Sequence, residues 1–84
     1  MYPNEYVKNL VSNIPFSPGV YQMKDEDGQV IYVGKAISLR KRVRQYFQKN
    51  NKSKRIENMV KLIRDIEYIV TKNEAEALVL ELSL

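Results

Sequence analysis

The sequence of 84 residues contains no cysteine and no histidine. Without cysteine there is no disulfide framework and no thiolate zinc site. Without histidine, Ser-His and Cys-His nucleophile pairs and imidazole metal sites are excluded. Any catalysis must therefore use Tyr, Lys, Arg, Asp or Glu, with or without an oxygen-bound metal ion, and the six tyrosines become candidates.

Long apolar runs are also missing from the chain. No run approaches the roughly 18 residues that a membrane-spanning helix needs, and the N-terminus lacks the pattern of a secretory signal. The hydrophobic share of 44% is nevertheless normal for a globular protein. We expect one small, monomeric, cytoplasmic domain with a thin stability margin and no membrane contact.

Acidic residues are absent from the segment between Lys35 and Arg55, although the whole chain has a net charge of only +4. The basic residues of this segment are Lys35, Arg40, Lys41, Arg42, Arg44, Lys49, Lys52, Lys54 and Arg55. A block of one sign and this density suits a polyanion, because each neutralised phosphate releases counterions. The alternative is a solvated surface, which charge runs usually are. The composition favours nucleic acid over that alternative.

The first third of the chain predicts a helix followed by a β-hairpin. Asn4 is the expected N-cap of the helix, and Pro15 and Pro18 end it. Its apolar face consists of Tyr6, Val7, Leu10, Val11 and Ile14. Residues 19–24 and 29–34 then form two strands around a polar turn at residues 25–28.

A symmetric four-residue turn fixes the register of this hairpin. The predicted pairs are Lys24 with Gln29, Tyr21 with Tyr32, and Gly19 with Gly34. Because side chains alternate between faces, the two tyrosines are expected together on one face. A register slip of one residue would separate them.

The remaining elements are two helices, a strand and a final helix. Ser38 is the expected N-cap of the first helix, whose apolar stripe is Leu39, Val43 and Phe47. Arg42 and Tyr46 are expected beside this stripe. The side chains expected to point towards water are Arg40, Lys41 and Arg44. Ser53 caps the next helix, whose apolar face is Ile56, Met59, Val60 and Ile63. The β-branched run from Ile66 to Thr71 predicts a strand.

Asn73 and Glu76 resemble a capping box and open the last helix. That helix has no stop signal before Leu84, so we expect the chain to be the N-terminal fragment of a longer protein. The order of elements predicts an α+β domain, with helices flanking a small three-stranded antiparallel sheet.

Two short elements and their surroundings resemble a known family. Gly19-Val20-Tyr21 and Tyr32-Val33-Gly34 match the two triplets of the GIY-YIG nucleases. The surrounding sequence resembles the UvrC group of bacterial nucleotide excision repair. The supporting segments are residues 18–21, 30–36, 39–43, 46–47, 66–71 and 73–81. The resemblance covers roughly Ile14 to Glu81 and implies the GIY-YIG fold.

The resemblance also implies roles for individual residues. Glu81 aligns with the metal-binding glutamate, which predicts one Mg²⁺ or Mn²⁺ ion. Tyr32 is the residue beside the attacking water, helped by Lys35, and a nearby cation would lower its pKa. Arg42 stabilises charge on the phosphate, whereas Tyr21 and Tyr46 position water or phosphate.

Each of these residues also has a purely structural interpretation. Glu81 would lie on the solvent side of its helix, and the tyrosines would pack as ordinary aromatics. Gly19 and Gly34 belong to the motif, and Gly34 is expected to let the backbone turn sharply and approach DNA. The residues expected to contact DNA are Lys35, Arg40, Lys41, Arg42, Arg44, Lys49 and Arg55.

The implied activity is metal-dependent hydrolysis of a phosphodiester in damaged double-stranded DNA, on the 3′ side of a lesion. The implied partner is a UvrB–DNA complex, contacted through regions outside this chain. Two alternatives stay open: another GIY-YIG nuclease, of the homing or structure-specific kind, and a non-catalytic basic DNA-binding module.

Overall fold

The computed structural model describes residues 1–48 and 53–84. The elements in these ranges are α1 (Glu5–Asn13), β1 (Gly19–Lys24), β2 (Val30–Ala36), α2 (Leu39–Tyr46), α3 (Lys54–Leu62), β3 (Asp65–Val70) and α4 (Glu74–Ser83). Their order confirms the predicted α+β architecture. Lys49 and Lys52 of the basic segment lie outside the described residues. No helix in the described ranges has the length and apolar character needed to span a bilayer.

The sheet is fully antiparallel, with strand order β2-β1-β3. β1 is therefore the central strand, although it comes first in the chain. β2 begins at Val30 and continues to Ala36, two residues beyond the predicted end, while β3 begins one residue earlier than predicted. The extra length of β2 brings Lys35 into the sheet opposite Val20.

The register of the hairpin differs from the prediction. Tyr21 pairs with Gly34, and Met23 pairs with Tyr32. The predicted pairs Tyr21–Tyr32, Gly19–Gly34 and Lys24–Gln29 are therefore wrong.

Two features shift the hairpin register by one residue each. Gln29 belongs to the turn, because its amide donates to the Asp25 carboxylate at 3.0 Å, so Lys24 pairs with Val30. A bulge between Met23 and Lys24 adds the second residue. A shift of two residues preserves the faces, so Tyr21 and Tyr32 still lie on the same side of the sheet.

Three of the four predicted N-caps use their side chains. Asn4, Ser53 and Asn73 accept hydrogen bonds from the amides of Val7, Ile56 and Glu76, at 2.9, 3.2 and 2.8 Å. Ser38 occupies the N-cap of α2 without such a bond. The first amides of α2 donate instead to backbone carbonyls, Leu39 to Ser17 at 2.9 Å and Arg40 to Pro15 at 3.2 Å.

The hydrophobic core lies between one face of the sheet and helices α1, α2 and α3. The predicted stripe of α2, which is Leu39, Val43 and Phe47, is buried, as are Val7, Val11 and Ile14 from the α1 region and Ile63 after α3. Tyr6 is the exception on the α1 face, because it is 58% exposed and its hydroxyl donates to Asp65. Helix α4 packs against β1 and β2 and buries Ala77.

Candidate active site

A cleft of about 470 Å³ opens beside the β1–β2 hairpin. Its walls come from both hairpin strands, from α2 and the residues just before it, and from α4. The lining residues are Tyr21, Tyr32, Gly34, Lys35, Ala36, Ile37, Ser38, Lys41, Arg42, Gln45, Glu74 and Glu81. The cleft therefore brings together most of the residues that the sequence marked for chemistry, from four segments of the chain.

Three tyrosines form one aromatic cluster at this cleft. The ring centroids of Tyr21 and Tyr32 lie 6.3 Å apart in a stacked arrangement. Tyr46 meets both rings at an angle, at 6.0 Å from Tyr21 and 5.9 Å from Tyr32. The hydroxyls of Tyr21 and Tyr46 form a buried hydrogen bond of 2.8 Å. The cluster fixes the three hydroxyl groups relative to one another.

The environment raises the pKa of all three phenols. Burial is the main cause for Tyr21, and hydrogen bonds with Tyr46 and Arg42 oppose it. Burial and the hydrogen bond with Tyr21 raise the pKa of Tyr46 to about 12. Hydrogen bonding with Tyr46, followed by burial, raises the pKa of Tyr32. Arg42 lowers the pKa of Tyr32, as expected of a nearby cation, but in the chain alone the hydrogen bond and burial outweigh it.

Arg42 reaches across the tyrosine cluster. Its guanidinium lies 5.5 Å from the ring centroid of Tyr46, within cation–π range. Hydrogen bonding with Tyr21 is the main cause that raises the pKa of Arg42, so the charge is secure at any relevant pH. The α2 helix thus presents a fixed positive charge to the cleft.

Helix α4 contributes two carboxylates to the cleft, Glu74 and Glu81. Glu81 is half-buried. Glu74 forms an ion pair with Lys35, at 3.9 Å between Nζ and Oε2. Glu74 was not among the residues expected at the site. The seven-residue spacing from Glu81 was the available signal, because residues two turns apart share a helix face.

The donor set of the cleft fits a divalent cation. Glu81 supplies a hard carboxylate oxygen, the ligand type that Mg²⁺ prefers, and such sites use one or two carboxylates with several waters. Nowhere in residues 1–48 and 53–84 do three acidic side chains converge into a larger cage. Glu81 is the residue that would hold the ion, because the second carboxylate, Glu74, faces Lys35.

Three residues predicted to contact DNA do not line the cleft. Arg44 and Arg40 lie along a second groove, between α1 and α2, and Arg55 is exposed on α3. Arg40 does not point into water as predicted, because its Nε donates to the Ile14 carbonyl at 2.6 Å and its guanidinium stacks on Phe16 at 4.3 Å. Contacts with a distant part of the chain override its position on the helix. Lys49, the remaining predicted contact, lies outside the described residues.

Gly34 is required for a reason other than the predicted sharp turn. Its backbone stays in the normal strand region, and the positive φ in the described chain belongs to Gly28, at 79°. A Cβ atom at Gly34 would collide with the ring and hydroxyl of Tyr21. At Gly19, a Cβ would collide with the Ile69 carbonyl on the neighbouring strand. Both motif glycines therefore allow close packing around Tyr21 and β1.

This fold and this cleft define an endonuclease domain of the GIY-YIG class. A crystal structure of the N-terminal GIY-YIG endonuclease domain of UvrC from Thermotoga maritima, bound to its catalytic magnesium, superposes with a TM-score of 0.81 and 34% identity. The alignment covers 95% of this chain and 86% of that one. The sequence pattern of the UvrC-like GIY-YIG domain matches residues 17–84. The chain belongs to the UvrC-like GIY-YIG family.

Close relatives extend this agreement across most of the chain. UvrABC system protein C from Caldicellulosiruptor saccharolyticus is 60% identical over 78 residues, which is 93% of this chain and 13% of that protein. The corresponding protein from Neisseria gonorrhoeae is 56% identical over 72 residues, 86% of this chain and 12% of that protein. The chain thus spans about an eighth of the length of these curated relatives.

Proposed function

We propose that this chain is a DNA-incising domain that hydrolyses a phosphodiester on the 3′ side of a lesion during bacterial nucleotide excision repair. The observation that carries the proposal is the convergence of Tyr32, Lys35, Arg42 and Glu81 on one cleft. A phenol, two cations and a carboxylate are the groups that water attack on a phosphate needs in a chain without histidine.

Glu81 is proposed to hold a single divalent cation, Mg²⁺ or Mn²⁺. When bound, such an ion supplies Lewis acidity at the phosphate and stabilises the leaving oxygen. The magnesium in the Thermotoga maritima domain, called its catalytic divalent cation, supports this assignment. Because Glu81 lies on α4 while Lys35 and Arg42 lie on β2 and α2, the phosphate would lie between an ion held by Glu81 and these two cations.

Tyr32 is proposed to orient the attacking water and to accept its proton. Its raised pKa means that the hydroxyl is protonated near neutral pH in the chain alone. The neutral hydroxyl can accept a hydrogen bond from water and so align it. Lys35 and a divalent cation are the positive groups that would favour the phenolate once the substrate is in place.

Arg42 is proposed to stabilise the negative charge that develops on the scissile phosphate. Its planar fork suits two phosphate oxygens. The Tyr46 ring lies 5.5 Å from the guanidinium, and the Tyr46 hydroxyl is hydrogen-bonded to that of Tyr21. Tyr21 and Tyr46 therefore act mainly by positioning the groups that touch the phosphate.

The proposed substrate is damaged double-stranded DNA presented by UvrB. The curated relatives are components of the UvrABC system, and this chain matches about an eighth of their length. We propose that the domain forms the N-terminal part of such a protein and that UvrB is contacted through other regions. Lys35, Lys41 and Arg42 of the cleft suit phosphate oxygens, which carry no sequence information, so sequence specificity should be low.

A chimera provides the direct test of this function. In it, the chain replaces the matching domain of the Caldicellulosiruptor saccharolyticus protein, to which it is 60% identical. The chimera, its loading partners and Mg²⁺ are incubated with an end-labelled duplex that carries one lesion. We expect a nick on the 3′ side, at least about 100-fold slower for Glu81→Gln, with DNA binding retained.

Glu57→Gln is the matched control, because Glu57 is an exposed carboxylate on α3 and is not among the residues that line the cleft. It should nick at the rate of the unmodified chimera. Normal 3′ nicking by the Glu81→Gln chimera would show that Glu81 is structural. Binding without any cleavage by the unmodified chimera would favour the non-catalytic module.

A further inference from the structure

A second groove, of about 270 Å³, lies between α1 and α2. Its lining consists of Tyr2, Lys8, Val11, Ser12, Arg40 and Arg44, and we call it the α1–α2 groove. Arg40 and Arg44 are one turn apart on α2, whereas Lys41, Arg42 and Gln45 of the same helix line the active-site cleft. The two depressions therefore lie on different sides of α2.

The α1–α2 groove concentrates positive charge. Lys8, Arg40 and Arg44 line it, and no acidic side chain does. In the described part of the chain, the ion pairs join Lys24 to Glu67 and Lys35 to Glu74, so none neutralises the groove. Like charges gathered around one concave surface create a potential that attracts anions.

One of the three cations is held rigidly. The Nε of Arg40 donates to the Ile14 carbonyl at 2.6 Å, and Phe16 supports the guanidinium at 4.3 Å. A side chain that is already ordered loses little rotamer entropy when it binds a ligand. The hydroxyl of Tyr2 on the same lining is the kind of group that contacts phosphate and sugar oxygens, whereas that of Ser12 donates to the Lys8 carbonyl at 3.0 Å.

We propose that the α1–α2 groove binds the phosphate backbone of the DNA whose scissile phosphate occupies the cleft. This proposal rests on the proposed function, because it takes DNA as the substrate. The two sites lie on different sides of the same helix, α2. The groove would therefore hold the backbone beside the cleft and not at the scissile phosphate itself.

Lys8 is the residue that distinguishes this surface from the basic segment between Lys35 and Arg55. It belongs to α1 and is exposed, as is Arg44. Their replacement by glutamine should therefore leave the fold intact. Arg40 is left unchanged in the test, because it also ties α2 to the end of α1.

The test measures binding of the 84-residue chain to a fluorescent duplex across a series of salt concentrations, with EDTA present so that no cleavage occurs. The variants are Lys8→Gln, Arg44→Gln and the double substitution. Each phosphate contact contributes about 0.9 to the slope of log K against log salt. We expect each single variant to lower the slope by about 0.9 and the double variant by about 1.8, with weaker binding at each step.

Lys61→Gln is the matched control, an exposed lysine on α3 outside the groove lining. It should leave the slope unchanged. An unchanged slope for the double variant overturns the proposal. If the double variant keeps its DNA slope but loses affinity for poly-glutamate, the groove instead fits an acidic polypeptide, and the DNA assignment is also overturned.

The outcome is independent of catalysis. If the Glu81→Gln chimera cuts normally while the double variant loses its slope, the catalytic assignment fails and the groove assignment stands. If the Glu81→Gln chimera is inactive but the salt slope of the double variant is unchanged, the groove assignment fails and the catalytic assignment stands.

Discussion

At the scale of single residues, the ring of Tyr32 and its hydroxyl can be considered separately, because the proposed chemistry belongs to the hydroxyl. Its ring stacks on Tyr21 and meets Tyr46, so the aromatic packing depends on the ring alone. Tyr32 also lines the cleft. Removing only the oxygen, by replacing Tyr32 with phenylalanine, therefore tests the proposed chemistry while the ring packing is kept, which removal of the whole side chain would not do.

Tyr32→Phe should abolish most nicking and leave the fold nearly unchanged. Loss of a group that orients or deprotonates water costs about 10²–10⁴ in rate. Loss of one hydrogen bond costs only about 0.5–1.5 kcal/mol in the free energy of unfolding. The measurements are the 3′ nicking rate of the chimera and urea unfolding of the chain.

Tyr68→Phe controls for the loss of a phenol as such, because Tyr68 lies on β3 and is 38% exposed. Its nicking rate should match that of the parent. If Tyr32→Phe retains most of the activity, the hydroxyl neither orients nor deprotonates the water.

Some residue positions could be foreseen and others could not. The cleft position of Arg42 follows from the apolar stripe of α2, because Arg42 borders Leu39 on the helix surface. The anchoring of Arg40 on Ile14 depends on how α1 meets α2, which no local pattern encodes. The pairing of Glu74 with Lys35 is likewise a contact between segments distant in sequence.

At the scale of elements, α4 and α2 begin in different ways. The Asn73 side chain caps α4 by accepting a hydrogen bond from the Glu76 amide at 2.8 Å, while the Glu76 carboxylate accepts one from the backbone amide of Lys72 at 3.3 Å. At α2, backbone carbonyls of Pro15 and Ser17 take the first amides. The buried Ser38 hydroxyl finds no hydrogen-bond partner within the described residues.

Asn73→Ala and Ser38→Ala should therefore change the free energy of unfolding by different amounts or in opposite directions. Loss of the Asn73 cap should cost about 1 kcal/mol in the free energy of unfolding. Ser38→Ala removes no side-chain cap. It also removes a buried hydroxyl that has no hydrogen-bond partner in the described part of the chain, so the free energy of unfolding should be unchanged or slightly higher. Urea unfolding of the two variants in parallel measures the contrast. Equal destabilisation would show that Ser38 caps α2 after all.

The hairpin shows why faces are easier to predict than pairs. Alternation of apolar residues reports which face a residue occupies, and both tyrosines were placed correctly. The pairing depends on the turn, where Asp25 draws the Gln29 amide into the loop, and on the bulge at Met23. Bulges carry no strong local sequence signal, so the pairing could not be read from the chain.

At the scale of the whole molecule, the tyrosine cluster joins the cleft to the core. Tyr21 and Tyr46 are buried members of the core cluster, and Tyr32 packs against it. Ionising a buried phenol opposes this packing, since charge is costly away from water. The free energy of unfolding should therefore decrease at high pH.

Stability should fall as the pH rises above about 10. The ordinary tyrosine pKa is 10.0, and that of Tyr46 in the folded chain is about 12. Because the folded pKa is the higher one, the stabilisation is complete below pH 10 and is lost as the pH rises towards 12. Urea midpoints measured from pH 8 to 12 should decline less steeply for Tyr46→Phe than for the parent. Parallel declines would exclude Tyr46 as a source of the dependence.

The strand order β2-β1-β3 has a consequence for the synthesis of the protein on the ribosome. The central strand is made first, but Gly19 pairs with Val70, near the other end of the chain. The hairpin can form early, whereas its second edge stays open until β3 has left the exit tunnel. Long-range pairing of this kind closes slowly. During that interval, the exposed edge of β1 is the part of the nascent chain most open to wrong partners.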